Sequence, residues 1–212
     1  METSRFGSST LRSFVGVVGQ RQTYRNLAYL LVTILLGWFY YVGLFVGLLM
    51  GVVLFIALVG VPMVLVTVIG SRYVAEFERR LANALLGTAF VTPSVPTIRE
   101  DGALAALLGV LRAESTWKGI AFLFLKSLIG FLTGLCWLVF GMTALALTLA
   151  PLGGSVEIWE LWTIDTHWES VLAVPLGISL AIATLHLSNG IANITGSLAG
   201  SLLDGAREGP PE

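Results

Sequence analysis

The stretch NLAYLLVTILLGWFYYVGLFVGLLMGVVLFIALVGVPMVLVTVIGS, residues 26–71, contains no Lys, Arg, Asp or Glu. A membrane-spanning helix needs about 20 apolar residues, so these 46 residues are enough for two spans with a tight turn near Met50. Two further charge-free runs, residues 127–156 and 170–203, are also too long for core helices of a soluble protein. The sequence therefore predicts an all-α integral membrane protein with four transmembrane helices, at residues 27–48, 51–71, 120–149 and 170–192.

The overall composition also indicates a membrane protein. Hydrophobic residues make up 56% of the chain, charged residues only 12%, and the mean hydropathy is +0.86. Soluble domains usually carry about 25% charged residues. The formal net charge of −1 provides no basic surface for nucleic acid, so no nucleic-acid partner is expected.

The cations predict the orientation of the spans. All 12 Lys and Arg residues lie in the N-terminal tail, in the connection 72–118 with its flanks, or in the C-terminal tail. The turn near Met50 and the connection 151–169 contain none. Because basic loops stay on the cytoplasmic side, we expect a multi-pass protein of the plasma membrane with both termini in the cytoplasm.

Two segments repeat one pattern, TYRNLAYLL at residues 23–31 and TWKGIAFLF at residues 116–124. Gly37 and Gly130 extend the match at the same offset of 93 positions, and a weaker similarity links the later halves at an offset of 117. Resemblance among membrane-interface anchors is the alternative, but the length of the match favours duplication. We expect two tandem hairpins in one membrane domain: a cytoplasmic tail 1–22, repeat one 23–87, a linker with an amphipathic helix 88–115, repeat two 116–205 and a second tail 206–212.

The repeated pattern marks the cytoplasmic start of spans one and three. Thr23 and Thr116 are expected to cap the N-termini of these helices. Arg25 and Lys118 follow two residues later and are expected to contact lipid headgroups.

The cytoplasmic connection is predicted to be helical near both ends. Three charges at four-residue spacing begin at Arg72, beside an apolar stripe that begins at Tyr73. Span two is therefore expected to continue as an amphipathic helix to about Leu86, with Gly87 as its stop. A second amphipathic helix is expected to begin at Asp101.

Four segments taken together are similar to one known family: YRNLAYLL in span one, GVP in span two, ERRLANALLG after it, and TWKGIAFLFLKSLIG at the start of span three. They resemble the "putative sensor" domain, a four-helix membrane module found at the N-terminus of many archaeal and actinobacterial sensor histidine kinases and also as a stand-alone protein. The similarity covers roughly residues 24–205. It implies an input module for signalling and supplies neither a ligand nor catalytic residues. Because only about 20 residues follow span four, we expect no kinase domain and an output through a separate signalling or regulatory protein.

Charged residues near the cytoplasmic boundary are candidate contacts for lipids or a partner. Glu78, Arg79 and Arg80 can contact lipid phosphates or a partner protein, or form a plain surface ion-pair cluster. Lys126 lies eight residues beyond Lys118, about 12 Å along a helix. Its side chain can extend to the inner headgroups, or it can serve a function within the membrane, such as contact with a lipid phosphate or a bound anion.

The outer connection EIWELWTIDTHWES is the sizeable non-cytoplasmic segment and a candidate ligand loop. Asp165, His167 and Glu169 would share one face of a strand and could bind a divalent cation. The alternative is a solvated loop whose tryptophans, Trp159, Trp162 and Trp168, dock at the membrane interface.

The residue content of the spans argues against an enzyme, since we find no paired carboxylates, no Ser with a base and no His-rich metal site within them. No catalytic residue, cofactor or metal is therefore expected. The leading hypothesis is a sensory or regulatory membrane module with lipids and a regulatory protein as partners. Glycines at four-residue spacing from Gly43 to Gly51 also allow a homo-oligomer. The alternatives are a small transporter or channel, or a scaffold subunit of a membrane complex.

Overall fold

The computed structural model describes residues 16–57, 59–91, 108–153 and 155–204, and most of them are helical. The helices are α1 (Arg21–Val53), α2 (Gly60–Leu86), α3 (Glu114–Cys136), α4 (Met142–Gly153) and α5 (His167–Leu202), with a π-helical segment, Trp137–Gly141, joining α3 to α4. Short 3-10 turns occupy Val17–Gly19 and Leu54–Ala57, and residues 108–112 are also helical. Strands β1 (Val156–Ile158) and β2 (Trp162–Ile164) form an antiparallel hairpin.

Four helical stretches in the described part of the chain are long and apolar enough to cross a membrane. They contain 33, 27, 40 and 36 residues, and each has a mean hydropathy of at least 1.3 in its most apolar window. This confirms the predicted all-α fold with four spans. The stretches are Arg21–Val53, Gly60–Leu86, Glu114–Gly153 and His167–Leu202.

The turn between the first two spans lies later in the chain than the sequence suggested. Helix α1 passes through Met50 and ends at Val53, and α2 begins at Gly60, so a turn near Met50 is wrong. The two helices meet where Gly60 packs on Gly51: a Cβ atom on Gly60 would collide with the Gly51 carbonyl oxygen. Glycine at position 60 therefore permits the reversal, whereas the charge-free sequence gave no signal for where it occurs.

The predicted end of α2 and the predicted N-caps of α1 and α3 had different outcomes. Helix α2 ends at Leu86, and Gly87 follows in the left-handed conformation with φ 71°, as predicted. The prediction that Thr23 and Thr116 are N-caps is wrong, because α1 begins at Arg21 and α3 at Glu114. Both hydroxyls instead bond to other segments: Asn189 donates to Thr23 Oγ1 over 3.1 Å and Arg72 donates to Thr116 Oγ1 over 2.6 Å.

The chain divides into two compact units, each built from residues of both predicted repeats. One unit comprises Met1–Leu27 with Leu132–Ile191, and its apolar core joins α4, the β-hairpin and the start of α5. The other comprises Ala28–Phe131 with Ala192–Glu212, and its core joins α1, α2, α3 and the end of α5. We refer to the latter as the second unit.

The exposed and buried faces of α2 in the second unit differ from the sequence pattern. Tyr73 is 75% exposed and Phe77 is 49% exposed, so the apolar stripe faces outwards. The buried face consists of small residues and charges: Ser71, Ala75, Glu78, Arg79 and Ala82. Small side chains at this spacing let neighbouring helices approach closely. The second amphipathic helix, expected from Asp101, lies largely outside the described residues.

Candidate functional site

A buried ion pair joins α2 and α3 in the second unit. The ammonium group of Lys126 contacts the carboxylate of Glu78, and both side chains are completely buried. Tyr29 and Tyr40 of α1 complete the arrangement: Lys126 Nζ donates to the Tyr29 hydroxyl over 2.9 Å, and the Tyr40 hydroxyl donates to Glu78 Oε1. We call these four residues the Lys–Glu cluster.

The helical repeat explains how three helices supply the Lys–Glu cluster. Tyr29 and Tyr40 are 11 residues apart, close to three turns of α1, so both side chains point from one face. Helix α2 can approach because its buried face includes small residues such as Ala75. A Cβ atom on Gly119 of α3 would lie only 3.3 Å from the Cβ of Ala75.

Aromatic rings complete the surroundings of the ammonium group. Lys126 Nζ lies 4.3 Å from the centre of the Tyr29 ring and 5.9 Å from that of Phe122, one turn earlier on α3. Ring faces attract cations, and the attraction is strongest where water is excluded. In the described part of the chain, no buried side-chain nitrogen or oxygen lacks a hydrogen-bond partner. The cluster is therefore a satisfied polar network rather than an empty ionic site.

The structure decides between the two interpretations of Lys126. A side chain that extends to the headgroups would be exposed at its tip, whereas the side chain of Lys126 has no exposed surface. The headgroup interpretation is therefore wrong, and so is contact of the ammonium with lipid phosphate in this conformation. Lys126 is therefore a buried charged residue within a membrane-spanning helix. Because burying a charge there costs free energy, the residue is a functional candidate.

The other members of the predicted basic segment separate into buried and exposed residues. Glu78 and Arg79 are only 1% and 8% exposed, so the predicted lipid or partner contact is wrong for both in this conformation. Arg79 pairs with Glu76 over 2.9 Å and donates to the Leu203 carbonyl over 3.4 Å. Arg80 also pairs with Glu76, over 3.0 Å, but its side chain is 76% exposed and stays a candidate contact.

The two cations of the repeated pattern are accessible. Arg25 is partly exposed near the start of α1. Lys118 pairs with Glu114 over 2.9 Å and keeps 32% of its side-chain surface exposed. Both stay predicted contacts for lipid or a partner.

The outer connection folds differently from the predicted ligand loop. Asp165 follows β2, whereas His167 begins α5, so the proposed common strand face of Asp165, His167 and Glu169 is wrong. On a helix, residues two positions apart point in different directions. Ile158 and Ile164 are buried and anchor the hairpin in its apolar core.

The tryptophans of the outer connection are partly or largely exposed, at 49% for Trp159, 45% for Trp162 and 71% for Trp168. Trp159 donates to Thr143 Oγ1 over 2.7 Å and, like Glu160, has a positive φ in the hairpin turn. These side chains suit the predicted interface docking, which stays a prediction.

Tyr29, Tyr40 and the pairing of Glu78 with Lys126 were not recognised from the sequence. The apolar stripe at Tyr73 is exposed and does not mark the buried face of α2. The sequence did contain a signal for the buried face. Small residues stand at helical spacing around Glu78: Ser71 seven positions before it, Ala75 three before it and Ala82 four after it. Small residues at such spacing mark a packed helix face in membranes, and Glu78 lies on that face.

Comparison with known proteins gives one finding. A family model described as "Putative sensor" matches residues 7–203. No curated protein and no solved structure was found to match the chain.

Proposed function

Because the chain belongs to the "Putative sensor" family, we propose that it is a membrane-embedded sensory module that passes a membrane or extracytoplasmic signal to a separate regulatory protein. We further propose that it acts in the plasma membrane, with both termini in the cytoplasm, and that it is not an enzyme. Membrane lipids and one signalling or regulatory protein are its proposed partners.

The observation that carries this proposal is the buried Lys–Glu cluster. Replacing a buried ion pair with well-packed apolar residues is often neutral or stabilising, so such a pair is weak support for a purely structural role. Removing only one partner costs about 3–5 kcal/mol, because the other charge is left unpaired. A buried pair that adds little stability over apolar residues but is costly to break on one side supports an element with two discrete arrangements.

The position of the cluster supports a two-state mechanism. A stimulus can shift an equilibrium only by interacting differently with its two states. Movement of α1 relative to α3 would change the contacts of Tyr29 and Tyr40 with the ion pair. The resulting change in the surroundings of Glu78 would reach α2, which continues to Leu86 as a single helix.

The end of α2 offers a route to an output surface. Arg79, next to Glu78, donates to the Leu203 carbonyl at the end of α5. The segment after α2 also contacts this end, because the Val91 N–H donates to Asp204 over 3.3 Å and a Cβ atom on Gly200 would lie 3.2 Å from the Phe90 ring. We propose that a partner reads the position of α2 and the adjoining end of α5, with exposed Arg80 as one contact.

Photo-crosslinking in cells tests the proposed output. A photoreactive amino acid at Arg80 should capture a kinase or a transcription regulator, identified by mass spectrometry. The yield should change at least about threefold when Glu78→Gln weakens the ion pair. The same probe at Leu161, which is 88% exposed in the β-hairpin, is the control and should not capture that protein. Capture of transport subunits alone would instead support a scaffold role.

Transport is the second candidate, because charged residues inside membrane proteins also mark ion and proton pathways. Liposomes containing only this protein separate the two functions. A sensor should give no proton or solute flux above empty liposomes. A flux that disappears in Lys126→Met would overturn the sensory function as the main one.

A further inference from the structure

An open groove lies between α1 and α3 in the second unit, beside the point where the two helices cross. Its volume is about 370 Å³, within the range of roughly 300–1,000 Å³ that is typical of small-molecule sites. Trp38 and Tyr41 line it from α1, and Phe124, Leu128 and Phe131 line it from α3. These side chains are between 44% and 62% exposed, so the groove opens towards the surrounding lipid.

Two glycines create the groove by letting α1 and α3 cross closely. A Cβ atom on Gly37 would lie 3.3 Å from the Ser127 carbonyl oxygen, and one on Gly130 would lie 2.6 Å from the Thr33 carbonyl oxygen. The groove lies beside this crossing, between the large side chains that flank it on both helices, and Gly37 is part of its lining.

The groove contains polar groups at an unusual depth. Trp38 lies 13 residues after Arg25 and 15 before Val53, about 20 Å and 22 Å along the helix. Tyr41 lies three residues further on. Tryptophan and tyrosine in spans normally occupy the interfaces, where water and headgroups accept their hydrogen bonds. These two instead lie near the middle of α1. In a bilayer whose hydrocarbon core is about 30 Å thick, that position falls inside the hydrocarbon.

Neither side chain has a protein partner for its polar group among the described residues. Trp38 forms no hydrogen bond with them, and the recorded contact of Tyr41 is ring stacking on Phe45, with centroids 5.3 Å apart. A donor without an acceptor in hydrocarbon is costly. Acyl chains cannot accept these hydrogen bonds, and the ester oxygens of phospholipids stay near the headgroups.

We propose that this groove binds a membrane-soluble quinone. A quinone ring is flat, neutral and apolar, so it can enter the hydrocarbon and pack between the aromatic side chains. Its carbonyl oxygens accept hydrogen bonds and donate none, which complements the Trp38 N–H and the Tyr41 O–H. Its isoprenoid tail can leave through the open side into lipid. This inference rests on the proposed sensory function, for which it supplies the stimulus: the bound ring would lie against Gly37 and Ser127, where α1 and α3 cross.

Equilibrium binding in lipid nanodiscs tests the quinone site. Radiolabelled menaquinone with four isoprene units should bind saturably, with about one molecule per chain, above the level of empty nanodiscs. Tyr41→Phe keeps the ring and removes the hydroxyl donor, and Trp38→Phe removes the N–H donor while replacing the indole with a smaller aromatic ring, so each should weaken binding about three- to tenfold. Trp168→Phe and Tyr73→Phe remove exposed donors outside the groove and should leave binding unchanged.

A second measurement uses the unaltered protein and does not depend on any variant folding. The same tail attached to a naphthalene ring without carbonyls should compete at least about threefold less well than the quinone. Equal competition would overturn the proposal and indicate an acyl-chain groove. Absence of saturable binding would also overturn the proposal. So would evidence that a second copy of the chain fills the groove. That occupancy would appear as disulfide crosslinks between chains carrying Leu128→Cys in a Cys136→Ser background.

The two proposals fail separately. The nanodisc experiment contains no partner protein, and the crosslinking experiment at Arg80 requires no known stimulus. Binding without a captured regulator would leave the quinone site standing and reject the sensory output. Capture without binding would leave the output standing and reject the quinone as the stimulus.

Discussion

Lys126 shows how strongly one residue depends on its neighbours. It lies eight positions after Lys118, and both are lysines on the same helix. Lys118 forms an exposed ion pair within its own helix, whereas Lys126 is buried against Glu78 of another helix. Exposed pairs contribute about 0–1 kcal/mol, and a broken buried pair costs several times more. The same side chain therefore has different energetic consequences at the two positions.

A double-mutant cycle on the ion pair is the first prediction. Lys126→Met and Glu78→Leu alone should each lower the free energy of unfolding by about 3–5 kcal/mol, because each leaves one buried charge unpaired. The double variant should recover at least half of the summed loss. Unfolding in mixed detergent micelles measures this, and Lys118→Met is the control, with a change of at most about 1 kcal/mol. Additive losses would contradict direct pairing.

Tyr40 gives a second prediction at the residue scale. Its hydroxyl is buried and donates to the Glu78 carboxylate. Tyr40→Phe should lower the free energy of unfolding by about 1.5–3 kcal/mol, since hydrogen bonds to charged groups fall in that range. Tyr73→Phe, on an exposed side chain, should change it by less than about 0.5 kcal/mol. Equal stability of the two variants would rule out the proposed support of Glu78 by Tyr40.

At the scale of helices, the crossing of α1 and α3 places Gly37 beside Gly130. A Cβ atom on Gly37 would lie 3.6 Å from the Gly130 Cα. These glycines are also the pair that the 93-residue offset relates. If two repeats are related by a twofold axis, residues at equivalent positions contact each other on that axis. The duplication stays a prediction. The same two helices supply residues to the Lys–Glu cluster and to the groove.

Alanine substitution at the crossing is the third prediction. Gly130→Ala should destabilise the protein by about 1–3 kcal/mol, because its methyl group would meet the Thr33 carbonyl, and a backbone atom cannot rotate away. Gly43→Ala is the matched control on α1, where an added Cβ meets nothing within 4 Å. It should be neutral or stabilising by up to about 1 kcal/mol through helix propensity. Thermal unfolding of both variants measures the difference.

Asn83 supports the element that follows α2 and provides the fourth prediction. Its amide oxygen accepts from the Phe90 N–H over 2.9 Å and from Thr88 Oγ1 over 2.8 Å. Asn83→Ala should raise hydrogen exchange at the Phe90 amide at least about tenfold, because that donor loses its acceptor. Ser197→Ala, which affects an exposed hydroxyl on α5, should leave this exchange rate unchanged. An unchanged rate in Asn83→Ala would show that Phe90 is held by packing alone.

At the scale of the whole molecule, the distribution of basic residues predicts the topology. In a Cys136→Ser background, Leu161→Cys in the β-hairpin should react with an impermeant reagent from outside the cell. Ser201→Cys near the end of α5 should react only after the membrane is opened. Reaction of both residues from the same side would reject the orientation and the proposed output surface.

The sequence by itself determined the number of spans and the end of α2 at Gly87. Those features follow from local physics: hydrocarbon excludes charge over about 20 residues, and glycine readily adopts the left-handed conformation that ends a helix. The turn at Gly60 was not predictable, because a uniformly apolar run contains no local signal for its reversal.

Tertiary structure alone decided that Glu78 and Lys126 form a buried pair and that Tyr29 and Tyr40 join them. These residues come from three helices and are up to 97 positions apart. Their meeting depends on which faces of α1, α2 and α3 pack together. In lipid, small residues and polar contacts select those faces, so an exposed apolar stripe such as that of Tyr73 does not indicate the interior. The helix contacts, rather than the hydrophobic pattern, therefore create the candidate site.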